Sequence, residues 1–178
     1  MTQALTIRRY QPRDAAAIAA LFHAAVQATP NSDYSAAQRT AWSAAPFDPD
    51  RYHSKATQPT YKVWVAVNVS HTPVGFIELE VDQATPDQTR QDQAGHIDCF
   101  YRHPDWHGCG VGPALYATLE AEARKQGLTR LYLEASEAAR RFCLSKGFTD
   151  LGRRDFVRRD FAGRGVAMHN YAMEKPLI

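Results

Sequence analysis

No stretch of this sequence approaches the roughly 20 consecutive apolar residues that a membrane-spanning helix requires. Its first residues also lack the hydrophobic core of a secretory leader. Cysteine is scarce: the three present, Cys99, Cys109 and Cys143, are odd in number and show no metal-ligand spacing. That excludes a disulfide framework and a thiolate metal centre, and suits a reduced, cytoplasmic protein. Charge of one sign is lacking too. A net charge of +2 gives no reason to expect a nucleic-acid partner, and the Arg-rich segment 153–164 is local. Two phosphate-loop signatures are missing: Pro113 stands where G-x-G-x-x-G needs its third glycine, and no Gly-Lys-Ser or Gly-Lys-Thr follows. No internal repeat is visible.

What is present is enough apolar material for a core. With 178 residues and 44% hydrophobic content, one domain over residues 1–178 is the natural expectation. The chain is organised around residues 96–126, read as a strand, a six-residue turn, a glycine corner and an amphipathic helix. Gly108, Gly110 and Gly112 alternate, so the backbone can turn tightly and approach a ligand without Cβ obstruction. Val111, Leu115 and Leu119 then recur every four residues. A helix opening under such a corner offers free N–H groups and the positive end of its dipole, which suits a phosphate. Taken alone, the same three glycines also fit a tight corner that binds nothing.

The remaining elements follow from patterning. Leu5 and Ile7 alternate with polar neighbours over 4–9, a first strand. Asp14 is placed to cap a helix over 15–28 that buries Ile18, Leu21, Phe22 and Val26. A weaker helix over 35–43 carries Trp42. A polar, proline-dotted connector over 46–59 holds one helical turn at 51–54. Strands are expected over 61–67 and 74–81, with Glu78 and Glu80 sharing one face of the second, either at a solvated edge or towards a cleft. A glycine-free polar loop covers 85–93. A strand over 128–134, a helix over 136–145 capped by Gly147, and a hairpin of 148–157 with 166–174 complete the chain. This order predicts an α/β fold whose sheet is largely antiparallel with one parallel junction.

His107-Gly108-Cys109-Gly110-Val111-Gly112 resembles the Q/R-x-x-G-x-G/A pyrophosphate loop of the GNAT (GCN5-related) N-acetyltransferase superfamily, with His107 in place of Gln or Arg. Ser136, Ala139, Cys143, Gly147 and Phe148 fall where that family's late helix reads N-x-x-A-x-x-x-Y-x-x-x-G-F. The similarity is strong over 94–150 and rests on element order elsewhere. The E-A-S-x-x-A-R segment and the M-E-K-P-L ending look like a bacterial YafP-type group of acetyltransferases. The resemblance implies a three-layer acyl-CoA N-acyltransferase fold with a V-shaped splay between the fourth and fifth strands. It also implies acceptor-side helices over 12–55, a coenzyme-binding core over 94–150, and a C-terminal hairpin over 148–175 that could pair with a second copy of the chain in a homodimer.

The implied co-substrate is acetyl-CoA, with no metal, and the implied partner is a small-molecule or peptide amine. Phe100 and Arg102 would pair with pantetheine amides and the thioester carbonyl, while residues 108–112, including Cys109, hold the pyrophosphate. Amides aimed at a tetrahedral oxyanion contribute about 3–4 kcal/mol each. Ser136 would meet the pantetheine arm and Arg140 the nucleotide phosphate, although Arg140 equally fits a solvated helix charge. His96, four residues before Phe100 and read as sharing its strand face, stands where histone-type members place a catalytic Glu. An imidazole titrates near neutrality, as a base for an ammonium acceptor should. The competing reading is a polar strand residue bonded to the sheet. Glu78 and Asp98 are alternative bases or orienting groups. Tyr34, Trp42 and Tyr171 are candidates for the acceptor wall, although Trp42 equally fits an anchor of its helix to the core. Cys143 replaces the family's acidic Tyr, so the thiolate leaves unprotonated, or Tyr171 or Tyr132 substitutes, or catalysis is weak. A non-catalytic acyl-CoA sensor and a ping-pong enzyme acylated on Cys143 or Cys109 are the alternatives.

Overall fold

The computed structural model describes residues 4–82 and 93–177. The loop expected over 85–93 lies outside them except for Gln93. Among the described residues seven strands form one sheet: β1 (Thr6–Arg9), β2 (Tyr61–Val67), β3 (Pro73–Val81), β4 (Ala94–Arg102), β5 (Arg130–Ala135), β6 (Thr149–Arg159) and β7 (Gly165–Pro176). Their order is β1-β2-β3-β4-β5-β7-β6, and β4–β5 is the parallel pair, as the patterning predicts. The helices are α1 (Ala15–Gln27), α2 (Ala36–Trp42), α3 (Pro49–Ala56), α4 (Val111–Lys125) and α5 (Glu137–Ser145). The single helical turn expected in the connector is thus two turns long, with Pro49 at its start and the Asp48 carboxylate accepting the Asp50 amide.

Two apolar layers sandwich the sheet. On one face Leu115, Leu119 and Ala123 of α4 and Cys143 of α5 pack on Ile77, Leu79, Ile97 and Leu131. On the other, Ile18, Leu21, Phe22 and Val26 of α1 pack with Tyr52 of α3 on Val65, Val67 and Phe76. Leu115 and Leu119 are fully buried; each such side chain contributes about 1.5–3 kcal/mol of transfer free energy. The first turn of α4 seats on β3 at Gly75, where a Cβ would lie 2.5 Å from Val111 Cγ1. That close approach fixes where the helix opens. Among the described residues no helix is long and apolar enough to cross a membrane.

Two irregularities in β4 set up everything that follows. Its pairing with β5 covers only Ala94, Gly95 and His96, opposite Arg130, Leu131 and Tyr132. Beyond His96 the strands part. On its other side, β4 pairs Phe100 with Ile77 but Ile97 with Leu79, so three residues of β4 span two of β3. This bulge at Asp98–Cys99 shifts the alternation of side chains by one. Phe100 and Ile97 therefore face the α4 layer together, whereas His96, opposite Glu80, faces the α1 side. The expectation that His96 and Phe100 share a face is overturned, because sequence spacing assumes an unbroken period of two.

Candidate active site

The parted strands open into a cavity of about 790 Å³. Its donor-side wall is the end of β4, the corner after it and the start of α4, with Ser136, Ala139 and Phe142 from the α5 region opposite. After β4 a short 3-10 turn over Pro104–Trp106 redirects the chain. Gly108 has φ +74° and Gly110, the residue before α4, has φ +81°; a Cβ on either would meet nothing within 4 Å. The left-handed backbone requires glycine there, and the space above it is open. The amides of Gly108 and Gly110 have no backbone partner among the described residues. Those of Val111 and Gly112, in the first turn of α4, have none within the helix. This cradle fits a diphosphate: donors point into a cavity at the positive end of a 15-residue helix.

Of the residues expected to hold coenzyme A, Phe100, Arg102, His107, Gly108, Gly110, Val111, Gly112 and Ser136 line the cavity. Cys109 sits in the corner with its thiol against the His107 carbonyl. Arg102 donates to Nδ1 of His107, so the His in the family's Gln/Arg place is held by a neighbouring strand residue. Ser136 caps α5, its Oγ accepting the Ala139 amide at 3.4 Å, which leaves its hydroxyl proton and one lone pair for a ligand. Arg140 is a correction: its guanidinium donates to Asp150 at 2.7 Å and lies over the Tyr171 ring, outside the cavity lining. The neighbouring Arg141 is the α5 arginine that lines the cavity. One residue along a helix turns the side chain by about 100°, and the spacing alone did not choose between the two arginines.

The acceptor candidates separate into three groups. Glu78 and Asp98 do meet, both on the ammonium of Lys55 from α3; Glu78 Oε2 is 2.5 Å from Nζ. With Cys99 the two carboxylates form a cluster of metal-ligand type, and Lys55 places a cation of the chain's own among them. Burial opposes the Lys55 charge, but the groups around it, Cys99, Glu78 and Asp98, outweigh that and raise its pKa. Burial pushes the Glu78 carboxyl up while Lys55 pulls it back. Neither acid lines the cavity.

His96 stands in the last β4–β5 pair before the gap, its ring stacked on Tyr132 at 4.8 Å. Its Nε2 lies 2.8 Å from Glu134 Oε2 and its Nδ1 3.7 Å from Glu80. Tyr132 donates to Asp82 at 3.0 Å, and burial together with that carboxylate pushes its phenol up to about 12.

The third group is aromatic. Trp42 lines the cavity; Tyr34 stands edge-on to it at 5.3 Å but is itself fully buried, its hydroxyl donating to the His169 carbonyl. Tyr171 donates to Glu137 at 2.6 Å, which raises its phenol. Cys143 is buried in the α4-side core and pushed up to about 12 by that burial. Sequence reasoning missed Glu134, Lys55, Arg141 and Asp33. All four act through contacts between distant segments, and no local motif marks them.

The comparisons with known proteins agree with this geometry. The family described as "Acetyltransferase (GNAT) family" matches residues 24–148. The uncharacterized N-acetyltransferase YafP of Escherichia coli (strain K12) is 31% identical over 144 residues, covering 81% of either chain. A solved GCN5-related N-acetyltransferase from Rhodopseudomonas palustris superposes with a TM-score of 0.75 at 30% identity, over 99% of this chain and 98% of that one. yncA of Salmonella typhimurium, solved with its cofactor acetyl-CoA, superposes with a TM-score of 0.68 at 25% identity, over 98% and 95%. With the parted β4 and β5, the glycine corner and the α4 helix in the places the family pattern requires, the chain belongs to the GNAT acetyltransferase family.

Proposed function

We propose that the chain is an acetyl-CoA-dependent N-acetyltransferase that passes the acetyl group directly to an amine held beside the donor. The single observation that carries this reading is the cavity where β4 leaves β5, with the open N–H cradle of Gly108, Gly110, Val111 and Gly112 at one end. The acetyl-CoA of the Salmonella relative supports the donor. The loop would hold the pyrophosphate, and the unpaired edge of β4 at Phe100 and Arg102 would pair with the pantetheine amides and the thioester oxygen.

His96 is the proposed base. His96 stands outside the cavity lining, so it takes the acceptor ammonium's proton through intervening water: a proton on Nε2 shared with Glu134 leaves the Nδ1 lone pair to accept it, and Glu134 orients the ring and balances the imidazolium that forms. The freed amine lone pair forms the C–N bond, the C–S bond breaks, and coenzyme A leaves as the thiolate. Tyr132 and Tyr171 each donate to a carboxylate, which raises the phenol's own pKa, so neither is poised to protonate that thiolate. Glu78 and Asp98, bound to Lys55, shape the sheet beside His96.

Calorimetric titration with acetyl-CoA, followed by release of free thiol across a panel of amines, tests the reading. Micromolar binding with turnover on at least one amine is expected. No binding at millimolar ligand removes the proposal; binding without turnover on any amine replaces it with an acyl-CoA sensor.

A further inference from the structure

Besides the glycine corner and α5, the cavity is walled by the C-terminal end of α1 and the loop after it, with Trp42 of α2 and Tyr101 of β4. One carboxylate lines the cavity among the described residues, that of Asp33. Its side chain is only 11% exposed, and it accepts from Arg141 Nη2 at 2.8 Å. The two residues are 108 positions apart, and their pair ties the α1–α2 loop to α5 across the cavity. Arg141 keeps 61% of its side chain exposed. It follows Ala138 and Ala139 along a helix whose Phe142 lies within 3.7 Å of a Cβ built on Gly112, in the phosphate cradle.

Both partners line the same cavity, so each can also serve a ligand there. An arginine in a cavity that ends in a diphosphate cradle binds phosphate through paired N–H donors. A carboxylate in a cavity that Trp42 and Tyr101 also line, their rings edge-on with centroids 6.5 Å apart, suits a substrate cation.

We propose that Asp33 is the anchor for a second cationic centre of the acceptor, and that Arg141 covers it until the coenzyme's phosphates draw the guanidinium away. The proposal rests on the acetyltransferase reading above. The amine that attacks the thioester must be neutral, so an ammonium held at Asp33 belongs to another nitrogen of the same molecule. The acceptor class this selects is a diamine, polyamine or other molecule with a cation apart from the reacting amine. Because Arg141 can serve only one partner fully, coenzyme binding uncovers Asp33, and the two substrates bind with positive coupling.

The experiment is calorimetric titration of the full chain with acetyl-CoA, and with spermidine as a cationic probe in the absence and presence of saturating coenzyme A. Asp33→Asn should tighten acetyl-CoA by about three- to tenfold, since Arg141 no longer has to leave a carboxylate; Arg141→Gln should weaken it, and the double variant should match Arg141→Gln. A structural ion pair predicts the opposite for Asp33→Asn, unchanged or weaker acetyl-CoA binding, and that result overturns the proposal. The wild type gives a second reading that depends on no variant's folding. Coenzyme A should tighten spermidine at least fivefold; equal affinity, or none in either state, overturns the anchor. Failure of wild-type chain to bind acetyl-CoA at all sinks the acetyltransferase reading itself, whereas normal acetyl-CoA binding with an indifferent Asp33→Asn overturns this proposal and leaves that reading standing.

Discussion

The two sides of the central gap are built from different materials. On the donor side, the working atoms are backbone amides of Gly108 to Gly112, presented by two left-handed glycines and the start of α4. On the acceptor side they are side chains joined across long stretches of sequence: Lys55 on Glu78 and Asp98, His96 on Glu134, Asp33 on Arg141. A site made of backbone amides depends little on side-chain identity, which suits the coenzyme proposed for this side. A side-chain site is free to differ in what it accepts. Perturbing each side should thus give different signatures, donor affinity on one and turnover or stability on the other.

The largest effect is expected at His96. His96→Gln removes the proton acceptor while keeping a polar group beside Glu134, and should lower kcat by about 10²–10⁴-fold. The Kd for acetyl-CoA should stay within twofold, because His96 does not line the cavity. Loss of coenzyme affinity in step with kcat would erase the distinction between the two sides. Steady-state rates alongside calorimetry make the measurement.

Next comes the buried cation. Lys55→Met leaves the Glu78 carboxylate, only 2% exposed, without its partner and should cost about 3–5 kcal/mol of unfolding free energy. The pH dependence has a definite sign. Without Lys55, burial and the neighbouring Asp98 charge push Glu78 up against only the Cys99 thiol, so its folded pKa lies above the unfolded value of about 4.3. The variant's deficit is therefore smallest below that pH, where the carboxyl is protonated in both states, and grows as pH rises through the folded pKa. Glu78→Gln in the Lys55→Met background should recover much of the loss near neutral pH. Urea melts at pH 4 and pH 7 would show it, and a deficit independent of pH would break the assignment.

Gly110→Ala tests the other side. An L-residue in the left-handed region costs roughly 1–2 kcal/mol. The empty loop can relax away from that strain, but gripping a diphosphate would restore it. Acetyl-CoA affinity should accordingly fall by about 5–30-fold with kcat at saturation little changed. A fall in kcat with intact affinity would mean that the corner serves the reaction rather than the coenzyme.

The same division explains what could be read from the sequence. The glycine corner, α4 and the parallel junction were legible because each is written in consecutive residues: alternate glycines, then apolar residues every four. Trp42 was legible only in part, since an aromatic near a helix end fits a core anchor as well as a wall, and it both packs on the α1-side core and lines the cavity. The face of His96 was not, since one extra residue at Asp98–Cys99 inverts the alternation and no local pattern announces a bulge. Arg140 and Arg141 were ambiguous for a related reason. Both stand on α5, and only the position of Asp150 on β6 and of Asp33 before α2 shows which partner each finds. Glu78 looked like an acid for a cationic substrate until α3 brought Lys55 to it.

The smallest effect is expected at Cys143, and it bears on how the leaving group departs. In the family's pattern this helix position carries a tyrosine facing the coenzyme. Here the side chain is 2% exposed, packs in the α4-side core, and holds a thiol pushed up to about 12 by burial. A thiol that weakly acidic is neither a proton donor matched to neutral pH nor a ready thiolate nucleophile. Cys143→Ala should therefore cost about 1 kcal/mol of stability from lost packing and leave kcat within twofold. Intact mass after incubation with acetyl-CoA alone should show no added acetyl group on either the parent chain or the variant. A tenfold loss of kcat, or a stable acetyl adduct that disappears with the sulfur, would move the chemistry from the side-chain face around His96 onto α5. The donor side would then be reactive as well as binding, and the contrast between the two halves of the gap would fail at the point where they touch.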